Sequence, residues 1–171
     1  MLIVGIDPGL TGAIAAAHVE RGGEGFELGR LAAIRDIPVT QVDSGDLVNA
    51  RALFDILDDL APSIIALEWP GPRQPGKGQR SYKTEWRFAL GCGATLAVCQ
   101  SVTQRVVLVP PNTWKAALGV TSDKSTSISM ARELAPGEGR FITSKDGRAE
   151  AFLLIEHLRR RLNDGAPLVV S

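Results

Sequence analysis

The sequence predicts an α/β fold: a five-stranded mixed sheet, three antiparallel strands followed by two parallel ones, with helices on both faces. Three observations predict it. Three strand-like segments separated by glycine turns open the chain. Segments of helical spacing then alternate with short, continuous apolar runs, the pattern of strands covered by helices. A long helical segment closes the order. With 171 residues, 44% of them hydrophobic, the chain can bury a substantial core, and residues 1–171 read as one domain.

Leu2 to Ile6 is a short apolar run and reads as a buried strand. Pro8, Gly9 and Gly12 turn the chain into a second strand over Ala13 to Val19. Gly22, Gly23 and Gly25 mark a hairpin, and Phe26 to Ile37 supplies the third strand. Asp46 reads as a helix N-cap, because Leu47, Ala50, Leu53, Phe54, Leu57 and Leu60 repeat with helical spacing as far as Pro62. Ser63 to Leu67 is a continuous apolar strand ending at Glu68, and Trp69 to Gln79 is a loop rich in Gly and Pro. Ser81 to about Ser101 has a helical pattern, which Gly91 and Gly93 weaken unless they serve instead for close packing against another backbone. Arg105 to Val109 is a strand stopped by Pro110 and Pro111. Short helices follow over Asn112 to Leu118 and Ser122 to Leu134. Pro136 to Gly139 is a loop, and the last helix runs from about Lys145 to Leu162.

Nineteen basic and nineteen acidic residues give a net charge of zero, so any surface for nucleic acid must be a local patch. Cys92 and Cys99, seven residues apart on a helix, are separated by about 10 Å along its axis and read as small buried residues rather than a disulfide or a zinc site. The start MLIVGID lacks the basic and long apolar regions of a signal peptide, and no stretch approaches the ~20 apolar residues that span a bilayer. A cytoplasmic protein is the expectation.

The chemistry lies in three carboxylates. Asp7 closes the first strand, and Ile3, Gly5 and Asp7 share one face of it. Glu68 closes another strand. In open α/β sheets, ligands bind beyond the carboxyl ends of strands. If these two strands are parallel neighbours, ~4.8 Å separates their backbones and the two acids call for a cation between them. Glu150 interrupts the apolar run from Ala149 to Ile155, where a lone charge would be costly to bury. Asp146 lies one turn earlier on the same face; it can serve the same site, or form a capping box with Thr143. Oxygen ligands without Cys or His favour Mg2+ or Mn2+, and two such ions suit phosphodiester hydrolysis.

Four segments in order carry a resemblance. GIDPGLTGAIA (5–15), ALEWP (66–70), VPPNTWKAALGVTSDKS (109–125) and DGRAEAFLL (146–154) resemble the successive motifs of the RuvC-type Holliday junction resolvases of the RNase H-like superfamily, the last one especially in its phage-type members. The resemblance implies an RNase H-like fold, a homodimer, paired cuts across a four-way DNA junction, and Asp7, Glu68 and Glu150 as metal ligands. It places Lys115 and Lys124 at the site, Lys124 on the scissile or adjacent phosphate. The family usually has a fourth ligand, Asp or His, three residues before the last acid, and that last acid is usually Asp. Here the position is Gly147, the candidate is Asp146, and the last acid is Glu150. Phage-type relatives also cut other branched DNA.

Arg73, Lys77, Arg80, Lys83 and Arg87 follow Glu68 with only Glu85 opposing them, interleaved with Tyr82 and Trp86 and preceded by Trp69. Cations there would contact phosphates, and an aromatic could stack on an unpaired base at a branch point. The alternative reading of each aromatic is core. Arg159, Arg160 and Arg161 read as a solvated helix end. Two other functions compete. An actin-like or sugar-kinase-type phosphotransferase also opens with a strand, an acid and a glycine turn, but the chain has no second phosphate loop. A non-catalytic module for branched DNA would gain nothing from acids placed near phosphates.

Overall fold

The computed structural model describes residues 1–43, 45–71, 81–135 and 145–168. Apolar runs of strand length build the main sheet: β1 (Leu2–Ile6), β2 (Ala13–Gly22), β3 (Gly25–Asp36), β6 (Ile64–Glu68) and β7 (Val106–Val109), with β4 (Val39–Val42) and β5 (Gly45–Val48) forming a separate hairpin. The order across the sheet is β3-β2-β1-β6-β7. β1–β2 and β2–β3 are antiparallel, whereas β1–β6 and β6–β7 are parallel. The mixed sheet is therefore the one the sequence predicts. Ile6 pairs with Leu67, which sets Asp7 and Glu68 level at the carboxyl ends of neighbouring strands.

The period-two alternation of side chains divides the core. Ile3, the small side chains of Ala13, Ala15 and Ala17, and Ala66 and Val107 pack against Trp114, Phe152, Leu153 and Ile155. These belong to α3 (Pro111–Leu118) and α5 (Asp146–Asn163), with α4 (Lys124–Leu134) alongside. Val4, Ile6, Ile14, Ile65 and Leu67 pack on the opposite face, against Leu53 and Leu57 of α1 (Ala50–Leu60) and Val98 and Cys99 of α2 (Tyr82–Val102). Cys92 and Cys99 are free, buried thiols. Among the described residues no helix is long and apolar enough to cross a membrane.

Three local expectations are corrected. Asp46 is not a helix cap. It lies in β5 (Gly45–Val48), paired with β4 (Val39–Val42), and Asn49 caps α1 by accepting from the Ala52 N–H at 3.0 Å. The hairpin escapes a sequence pattern because neither strand is a buried apolar run and Leu47 also fits the helical repeat. Of the two helix glycines, only Gly91 faces a close neighbour among the described residues, Val48 Cγ2, 3.3 Å from where its Cβ would stand; Gly93 is exposed. Arg159 and Arg160 are not simply solvated. Both pair at 2.7 Å with Glu156, itself 1% exposed, and Arg159 also donates to the Phe26 carbonyl. Two guanidinium groups compensate a carboxylate that would otherwise be costly to bury.

Candidate metal centre

Asp7 leaves β1 and is followed by a tight turn. Its backbone N–H donates to the Ala13 carbonyl at 3.0 Å, and its Oδ1 accepts from the Gly9 N–H at 3.2 Å. Gly12 is obligatory here, because a Cβ would run into the Asp7 carbonyl. Glu68 ends β6, 8% exposed, and its Oε1 accepts from the indole N–H of the fully buried Trp114 at 3.0 Å.

α5 brings the other two acids. Gly5 lets it settle on the middle of the sheet, since any Cβ there would collide with the Ala151 carbonyl oxygen. Glu150, one residue before that contact, is 13% exposed at its side chain and accepts from Lys115 Nζ at 2.7 Å. The same ammonium lies 5.1 Å from the centre of the Trp114 ring. Asp146 opens the helix and pairs with Lys124 Nζ at 2.5 Å. The N-cap of α5 is Lys145, with no side-chain cap bond, so Asp146 is a first-turn acid rather than the partner in a capping box. Thr143 lies outside the described residues.

The electrostatics register the gathering of these acids. Burial first, and then repulsion from Glu150 and Asp146 against the Gly9 hydrogen bond, push the Asp7 carboxyl up to about 6. Burial again leads at Glu68, followed by repulsion from Asp7; with the Trp114 hydrogen bond opposing, its carboxyl rises to about 7. Burial works in the same direction at Asp146, but the Lys124 ammonium outweighs it and holds that carboxyl below its ordinary value. Among the described residues no three His, Cys, Asp or Glu side chains converge into a ready metal cage. Two of the four acids are paired with lysines, Glu150 with Lys115 and Asp146 with Lys124. The donor set still fits hard cations, since it is all carboxylate oxygen and the burial and mutual repulsion that raise Asp7 and Glu68 are relieved by nearby positive charge.

Beside the acids is a cavity of ≈ 340 Å³ lined by Asp7, Asp146, Lys124, Thr84 and Arg87 among others. Arg87 is half-buried and its Nε has no hydrogen-bond partner among the described residues. Its guanidinium occupies the space that a side chain at Gly45, φ +109°, would fill. Lys83 is exposed on α2, as are Tyr82 and Trp86, at 86% and 48%. Trp69 is partly buried against the core. Arg73, Lys77 and Arg80 lie outside the described residues.

The structure thus gathers Asp7, Glu68, Asp146, Glu150, Lys115 and Lys124 around one end of the sheet. It also explains the departure at position 147: a Cβ at Gly147 would stand 2.8 Å from the Thr11 carbonyl oxygen and 2.9 Å from Gly12 Cα, so an acid has no room there. The sequence reading passed over Trp114. Its only signal was generic, that a buried indole N–H needs an acceptor.

No family model and no curated protein matches the chain. Solved structures do. The structure of Thermus thermophilus RuvC superimposes with a TM-score of 0.66 at 20% identity, covering 100% of both chains. T. thermophilus RuvC in complex with a Holliday junction substrate superimposes at 0.58 and 17% identity, covering 99% of both. The chain has the RuvC form of the RNase H-like fold.

Proposed function

We propose that this chain is a divalent-metal-dependent endonuclease of the RuvC type, a crossover junction endodeoxyribonuclease that cuts four-way junctions and other branched DNA as a single-domain protomer. One observation carries the reading. Asp7 and Glu68 stand level at the ends of adjacent parallel strands, and a helix crossing the sheet adds Glu150 and Asp146 within electrostatic reach. A fold shared with a protein solved on a Holliday junction supports the choice of substrate.

In this reading Asp7, Glu68, Asp146 and Glu150 would hold Mg2+ or Mn2+, two ions per site. When bound, such ions supply Lewis acidity to the phosphodiester and lower the pKa of the attacking water. The residues of the chain do the rest. The carboxylates fix where positive charge sits. Lys124 and Lys115, each paired with a carboxylate at the site, would bind phosphates of the cleaved strand. Arg87 reaches the same cavity; with Lys83, Arg73, Lys77 and Arg80 it would track the backbone of a DNA arm. No side chain need attack phosphorus, so no covalent intermediate forms.

The test uses labelled four-way junctions, purified protein and Mg2+ or Mn2+. Asp7→Asn and Glu68→Gln should each reduce cleavage by about 10²-fold or more while junction binding persists. Cutting that survives both substitutions refutes the proposal.

A further inference from the structure

Two adjacent residues of α3 address two candidate ligands that come from different elements. Trp114 donates its indole N–H to Glu68 Oε1 on β6 at 3.0 Å, and Lys115 donates to Glu150 Oε1 on α5 at 2.7 Å. Trp114 is entirely buried, and Glu68 nearly so. A buried indole could satisfy its N–H with a backbone carbonyl and leave the carboxylate alone. Here its bond goes to the acid.

We infer that Trp114 is a positioning residue for the metal centre: its indole N–H holds Oε1 of Glu68, and so leaves Oε2 as the oxygen that takes an ion. The inference rests on the proposed nuclease reading only in naming the ion's purpose. A carboxylate has two equivalent oxygens and a freely turning terminal torsion. Burial among apolar side chains does not choose between its rotamers, whereas a directed N–H does. The same bond makes the ionised form of a buried carboxyl less costly, and that is the form an ion requires. Groups that hold a ligand's second atom are worth about 10- to 100-fold in metal affinity or activity.

The experiment separates the N–H from the ring. Trp114→Phe removes both the N–H and part of the bicycle, so it is paired with replacement of Trp114 by β-(3-benzothienyl)alanine. That isostere keeps the bicyclic shape and lacks the donor. Trp69→Phe controls for loss of a nearby indole. Mn2+ affinity is read by calorimetry, folding by thermal unfolding without metal, and junction binding in EDTA. The isostere should unfold near the wild-type temperature and bind junctions normally, yet bind Mn2+ about 10- to 100-fold more weakly. Trp69→Phe should bind Mn2+ as the wild type does. If only packing mattered, the isostere would restore wild-type Mn2+ affinity, and that result overturns the inference. A wild-type chain that takes up no Mn2+ overturns it as well. Should the isostere lose Mn2+ while the wild type binds it and leaves every branched DNA uncut, Trp114 keeps its role and the nuclease reading falls.

Discussion

The Asp7 and Glu68 carboxyls hold their protons more tightly in the folded chain than in the unfolded one. Between about pH 5 and 6, where the unfolded chain has released most of both protons, the folded chain still retains most of them, and Glu68 keeps its own up to about pH 7. The unfolded state then binds fewer protons, so stability falls as pH rises through that window. In metal-free protein these two groups should lower the unfolding temperature by about 5 °C or more between pH 5 and pH 8. Adding Mg2+ at pH 8 should recover it, and the Asp7→Asn, Glu68→Gln double variant should show neither change. Differential scanning calorimetry checks all three. At this scale the sequence was informative where an acid broke an apolar pattern, as at Glu68 and Glu150. It was silent where a role depends on a contact between distant elements. Trp114 meets Glu68 across 46 residues, and nothing in either local pattern marks the pair.

The site's precision comes from how α5 lies on β1. The backbone of Ala151 occupies the space above Gly5, and Glu150 is the preceding residue. Gly5→Ala should therefore lift the helix, with destabilisation of about 1–3 kcal/mol and loss of most cleavage, even though Gly5 carries no chemistry. Unfolding melts and cleavage rates would show it; a variant of wild-type stability and activity would mean that the helix is not seated there. The main-sheet strands were legible because strands buried on both faces read as short continuous apolar runs, and α1 because its apolar residues recur near every 3.6 residues. The β4–β5 hairpin was not. Four-residue strands with exposed Val39 and Val42 show no one-sided burial to read. Yet this hairpin carries Gly45, against which Arg87 lies beside the acids.

At the scale of the whole molecule, zero net charge means that the proposed attraction to DNA has to come from a local basic patch rather than from the overall field. A junction has four arms, and paired cuts would need two sites, hence the homodimer that the sequence resemblance implies. The outer face of α2 offers a surface for it: Tyr82, Trp86 and Leu90 recur every four residues and are all exposed, and Gly93, open to solvent, continues the stripe. Trp86→Glu combined with Leu90→Glu should convert a dimer into a monomer in sedimentation equilibrium. The variant should still bind Mn2+ but lose coordinated double cutting. If it sediments as the wild type does, the contact lies elsewhere.

α5 is anchored twice to the same edge strand. At its start Lys145 and Arg148 both reach Asp36, the last residue of β3. At its end Asn163 and Arg159 take both backbone groups of Phe26, near the first residue of β3. A rod fastened at two points along a ruler cannot slide by a helical turn without releasing both fastenings. The span of β3 thus gauges where Glu150 stands over the sheet. Lengthening that strand by a residue pair would shift a carboxylate it never touches, whereas extra residues at the Gly22–Gly25 tip would leave it where it is.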